Sequence, residues 1–166
     1  MLLASRKNRQ RGMTLLELMV VLALMAGLCA MALPNFLNTH LPRYRLNNAA
    51  QRLVGDILYA RTRAVSTNRQ HRIVFDTKSN VYRIEAGDRS RDSKNWSLET
   101  PVRRLGDPES DAYFPGVELV AATKDALIFK PTGGQTLMSV TLRHSSGRII
   151  RIYMAISGRI RMERGA

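Results

Sequence analysis

Three regimes of hydrophobic patterning follow one another along the chain. From Met13 to Leu33 apolar residues run almost unbroken, and the only ionisable side chains are Glu17 and the weakly acidic thiol of Cys29. At 1.5 Å rise per residue this stretch predicts a helix of roughly 31 Å, about the thickness of one hydrocarbon core. Pro34 ends or kinks that helix, because it lacks an N–H and crowds the preceding turn. A second prolyl residue, Pro42, makes 35–43 a kinked junction. From Leu46 onward the apolar residues Ala50, Leu53, Ile57, Ala60 and Ala64 recur at threes and fours, which predicts an amphipathic helix with Arg45, Arg52, Arg61 and Arg63 largely off the stripe. Past Val65 the period drops to two.

In this last regime His71–Asp76 and Val81–Ala86 flank Thr-Lys-Ser-Asn and read as a hairpin. Residues 88–112 are polar, with Trp96, Leu98, Val102 and Leu105 as scattered anchors, and read as a long loop or irregular edge. Further strands are expected at Val117–Ala121, Ala126–Lys130, Leu137–Arg143, Arg148–Ala155 and Gly158–Met162. Helix first and antiparallel strands afterwards give an α+β fold, a long N-terminal helix packed on an antiparallel sheet. At 166 residues the chain holds one anchor and one compact domain of roughly 100 residues.

Charge fixes the orientation. Arg6, Lys7, Arg9 and Arg11 precede the apolar run without an acid, so the N-terminus is expected on the cytoplasmic side and everything after Pro34 on the other face. A secretory signal would have a shorter apolar core ending in a small-residue cleavage site, whereas here the run leads into an amphipathic helix. Glu17 is also foreign to such a signal. A carboxylate in an apolar helix costs a few kcal/mol unless it is paired or drawn to the interface, which marks it as functional. Cys29 is the sole cysteine, so no intramolecular disulfide forms, and its expected role is packing within the helix.

The segment Gly12-Met13-Thr14-Leu15-Leu16-Glu17 resembles the type III signal of type IV pilins and type II secretion pseudopilins. The resemblance implies cleavage after Gly12, N-methylation of the new terminal amine of Met13, and retention of Glu17 as a filament-assembly residue. Met13 departs from the usual phenylalanine after the cut. Glu17 of one subunit can accept the cationic amine of a neighbour where water is scarce. The resemblance also divides the chain into a basic leader 1–12, a membrane helix 13–33, an amphipathic continuation 34–65 and an extracytoplasmic β-rich domain 66–166. Loss of the leader's four bases lowers the formal charge from +13 to +9. Further on, Ala126-Leu-Ile-Phe-Lys-Pro-Thr-Gly-Gly and a terminal Ser-Gly-Arg-Ile-Arg resemble the minor pseudopilin H and FimT group.

The partners implied are a prepilin peptidase and methyltransferase, other major and minor pilins or pseudopilins, and the bacterial inner membrane. A structural role near the tip of a pseudopilus or pilus is the leading expectation. No catalytic role, cofactor or metal is expected: His40, His71 and His144 stand apart, without ligand spacing, and are read as surface or hairpin residues. The alternative is a DNA-binding minor pilin. Its candidate residues are Arg143, Arg148, Arg159 and Arg161 in the basic C-terminal third, since guanidinium forks pair with phosphate. In that reading Arg159 and Arg161 share one face of a strand, Ile160 points to the core, and Gly158 lets a phosphate approach.

Overall fold

The computed structural model describes residues 14–165, and of residues 32–40 it describes the backbone only. One helix, α1 (Leu15–Thr67), is followed by nine strands: β1 (His71–Asp76), β2 (Val81–Gly87), β3 (Trp96–Leu98), β4 (Arg103–Arg104), β5 (Val117–Ala122), β6 (Ala126–Phe129), β7 (Met138–His144), β8 (Ile149–Met154) and β9 (Ile160–Gly165). The α+β expectation holds. Helical backbone continues through Pro34 and Pro42, so neither proline ends the helix. The chain divides into two compact units at residues 39 and 40, and each stands on its own terms.

In the first unit α1 begins with a cap. Thr14 Oγ1 accepts the N–H of Glu17 at 3.2 Å, which satisfies one of the amides that open every helix. Thr14 and Glu17 have the spacing of a capping box, so the same residues that resemble a processing signal also start the helix. From Leu15, 77% exposed, to Met31, 80% exposed, the large apolar side chains are all exposed within this chain. Apolar residues all round a helix require a partner or an apolar solvent. Among the described residues, however, no helix is long and apolar enough to cross a membrane.

The second unit is built on the rest of α1. Leu46, Ala49, Ala50, Leu53, Ile57, Ala60 and Ala64 are buried, the predicted stripe with Ala49 added. They join one core with the inward residues of two antiparallel sheets. The first sheet runs β3-β2-β1-β6 with β4 also on β2, and the second runs β5-β7-β8-β9. Alternation decides the faces: Ile73 and Phe75 of β1, Val140 and Leu142 of β7, and Ile150, Ile152 and Met154 of β8 all turn inward. Thr67 Oγ1 donates to the Arg63 carbonyl at 2.7 Å, and Asn68 takes a left-handed φ of 51°, ending α1.

The hairpin between β1 and β2 forms where its sequence predicts, and the five later strands lie within a few residues of their expected bounds. Residues 88–112 take the second of their two expected forms, an irregular edge: the segment contributes β3 and β4, both paired to β2, and buries Leu105 and Ala112. Arg72 lies over the Trp96 ring at 4.1 Å and holds β3 against its neighbour.

Asn80 joins the sheets. It ends the β1–β2 turn in a left-handed conformation (φ 55°), which asparagine tolerates better than most residues. Its amide then behaves like a missing strand: Nδ2 donates to the Val117 carbonyl at 3.1 Å and Oδ1 accepts the Leu119 N–H at 2.8 Å, both on β5. Replacing Asn80 by Ala strands a backbone donor and acceptor, so a loss of about 1–3 kcal/mol is expected, read as a lower urea midpoint. An unchanged midpoint would show that β5 finds these bonds elsewhere.

Candidate functional site

Two groups of candidate residues follow from the chain's order. Gly12 and Met13 lie outside the described residues. Glu17 occupies the first turn of α1, where the partial positive charge of the helix start favours a carboxylate. It is exposed, and among the described residues its carboxylate has no cation or hydrogen-bond donor. Pro34 lies inside α1, and its side chain is outside what is described.

The C-terminal arginines separate into two sets. Arg143 is the last residue but one of β7 and lies beside Glu118, with Nη2 to Oε2 at 3.2 Å, and Arg148 lies in the turn before β8. Arg159 and Arg161 stand at the other end of β8, at the turn into β9 and on β9 itself. Five steps of about 3.3 Å along β8 put roughly 17 Å between the two ends. The four therefore do not form one patch. Antiparallel sequence neighbours share a turn at one end of a hairpin, so residues before and after a six-residue strand are separated by its length.

The local reading of Gly158-Arg159-Ile160-Arg161 is corrected in two places. β9 begins at Ile160, so Arg159 belongs to the turn and the shared-face argument does not reach it. Ile160 does pack on the core. Gly158 has a φ of 86°, in the region that favours glycine, but its open side is filled by the guanidinium of Arg61, whose Nη1 donates to the Gly158 carbonyl at 3.3 Å. No phosphate can approach there without displacing it. Lys124, Arg159 and Arg161 do line a common groove of about 650 Å³, together with Tyr153 and Glu163.

A buried polar network escaped the sequence reading. Asp56 sits between Leu53 and Ile57 on the apolar stripe and is buried; its Oδ2 accepts the Tyr82 hydroxyl at 2.7 Å and lies 3.6 Å from Arg103 Nε. Arg103 reaches on to Asp111 at 2.6 Å. Burial and the adjacent Asp56 carboxylate push the Tyr82 hydroxyl far up, so it remains a donor. One acid on an otherwise apolar helical face was the available signal.

His71 and His144 are hairpin residues, the second of the two expected placements, on β1 and β7, and both are buried. Both occupy inward positions of their strands, and burial lowers both pKa values below the ordinary 6.5, with Arg45 and Arg148 adding to the effect at His144. Among the described residues no group of three or more metal-binding side chains gathers.

A capped apolar helix carrying one acid in its first turn, continued into a helix that packs under two antiparallel sheets, defines a pilin-like protein. Residues 7–33 match the prokaryotic N-terminal methylation motif, and residues 49–158 match the family model of the type II transport protein GspH. The chain belongs to this GspH family. It is thereby a type II transport protein of the GspH kind that carries the N-terminal methylation motif. No curated protein sequence matches it significantly.

Among solved structures, the minor pseudopilin EpsH from the type 2 secretion system of Vibrio cholerae superposes with a TM-score of 0.56 at 12% identity, over 72% of this chain and 97% of that one. The type IV minor pilin FimU of Pseudomonas aeruginosa PAO1 has a TM-score of 0.47 at 19% identity, over 73% of this chain and 90% of its own. The first of these likenesses is one of fold.

The buried histidines generate a pH prediction. Because their folded pKa values lie below 6.5, the unfolded chain binds more protons as pH falls past that value. Stability is thus fully present above about pH 6.5 and is lost as pH falls towards the depressed folded values. Carboxylates titrate lower, near 4. The thermal midpoint is expected to fall between pH 7 and 5, and the His71→Gln, His144→Gln double variant should flatten that slope. An equal slope in the variant would assign the acid sensitivity to other groups.

Proposed function

We propose that this chain is a minor subunit at or near the tip of its filament, acting in assembly and not in catalysis. Its leader 1–12 is removed by a cytoplasmic-face prepilin peptidase, Met13 is methylated, residues 13–33 hold it in the inner membrane, and the domain 66–166 lies in the periplasm. The observation that carries this reading is the apolar surface of α1 from Leu15 to Met31, exposed on every side and interrupted only by Glu17.

Magnitudes decide what Glu17 does. A carboxylate deep in a bilayer costs about 3 kcal/mol, and a helix start offsets about 0.3–1 kcal/mol of it. A cation has to supply the remainder. The terminal amine created at Met13 in a neighbouring subunit is such a cation, and the pairing would join packing of apolar helices to one fixed register. Pro34 would then bend the helix where it leaves the packed bundle.

Two substitutions in one pulse-chase experiment separate processing from assembly. Gly12→Leu should leave a full-length precursor in the membrane. Glu17→Ala should be shortened normally yet fail to crosslink to a major subunit. Normal crosslinking of Glu17→Ala would remove the pairing role.

A second reading rests on the groove shared by Lys124, Arg159 and Arg161, which could hold the phosphates of DNA. Glu163 in the same groove, and the separation of Arg143 and Arg148 from it, weaken that reading. Duplex DNA should bind with a steep salt dependence, and the Arg159→Gln, Arg161→Gln variant should lose most of that binding. Absence of binding in the parent chain leaves assembly as the function.

A further inference from the structure

A cavity of about 710 Å³ opens between the start of the packed part of α1 and the strands β8 and β9. Arg43 reaches it from α1 and Arg164 from β9, while Leu46, Ile149 and Ile150 give it an apolar lining. Asn47 lies between these two kinds of surface. Its Oδ1 accepts from Arg164 Nη2 at 3.2 Å, which holds one edge of that guanidinium and leaves other N–H groups available. Among the described residues neither Arg43 nor Arg164 has a carboxylate partner, and no carboxylate lines the cavity. Arg148 lines it too.

Two exposed cations beside an apolar recess match an amphiphile with an anionic head. Nucleic acid would use the cations and leave the recess empty, and an apolar peptide would use the recess and leave the cations unmatched. Position on the chain favours lipid as the source. Arg43 comes ten residues after the end of the apolar run at Leu33, and a long arginine side chain can extend towards an interface. Leu41 and Tyr44, both exposed, flank Arg43. A tyrosine beside a cation is the combination found at the level of lipid headgroups.

We propose that this cavity binds the phosphate and glycerol region of an anionic phospholipid, with Arg43 and Arg164 on the phosphate and Leu46, Ile149 and Ile150 against the first methylenes. The inference rests on the reading that α1 is anchored in a bilayer. A lipid held there would tie the folded domain to the headgroup layer while the subunit waits in the membrane. Extraction into a filament would then require its release.

The test uses the full chain in vesicles containing a photoreactive phosphatidylglycerol, with a photoreactive phosphatidylcholine in parallel. After illumination and proteolysis, label is expected on peptides from the apolar run with either lipid. On peptides spanning Tyr44–Asn47 and Ile149–Ile150 it is expected with phosphatidylglycerol only. Arg43→Gln combined with Arg164→Gln should reduce the second set at least fivefold and leave the first unchanged.

Equal labelling of the cavity by both lipids, or labelling that survives the double variant, overturns the proposal. Label on the apolar run with none in the cavity overturns it as well, while leaving anchoring intact. No label on the apolar run sinks the anchoring reading and the proposal with it. Protection of the cavity by duplex DNA, or by inorganic phosphate at a concentration that leaves the apolar run labelled, would reassign the arginines to a soluble phosphate.

Discussion

Burial of one helical face organises this molecule. Ala49, Ala50, Ala60 and Ala64 let the sheets come close to α1, while Leu46, Leu53 and Ile57 fill the space between. Small residues at such contacts are not interchangeable with large ones, since forcing extra methylenes into a packed core costs about 1–3 kcal/mol. Asp56 interrupts the same face. Its carboxylate is tolerated because Tyr82 donates to it and Arg103 stands beside it, and these partners come from β2 and β4. The helix is therefore fixed to the first sheet by a polar contact as well as by packing. Arg52, one helical turn earlier, adds a second cation 3.7 Å from the same carboxylate, so the buried charge keeps a partner when any one of the three is lost.

The two sheets depend on a different device. Each has its own hydrogen-bond ladder, and Asn80 crosses between them by offering β5 the donor and acceptor of an absent strand residue. Arg61 and Asn47 extend such contacts along the helix, one reaching the turn before β9 and the other the strand itself. A helix contacting both ends of the last hairpin constrains a segment that packing alone holds weakly, because β9 is an edge strand with five exposed positions among its six.

Continuity of α1 gives the fold its meaning for assembly. The helix that supplies the domain's core also carries the exposed apolar run, so the two surfaces have to be satisfied by different surroundings. Protein covers one. In the assembly proposed above, the other would be covered by lipid or by the helices of sister subunits, and Glu17 would favour the second because only it can bring a specific cation.

The methylation motif, the apolar run, the stripe from Leu46 to Ala64, the β1–β2 hairpin and the later strands were all legible in sequence, because each is a periodicity or motif contained within a short segment. Family membership was legible for the same reason. Other features were decided by tertiary structure. β3 and β4 are two or three residues long and exist only because β2 offers them an edge. His71 and His144 read as isolated polar residues until strand alternation turned them inward. Asp56 acquired its role from residues far along the chain. The four candidate arginines of the C-terminal third are near one another in sequence, yet the length of β8 divides them, and Arg61 occupies the approach to Gly158. Local spacing determines which way a side chain faces within its own element; only the packing of elements decides what it meets there.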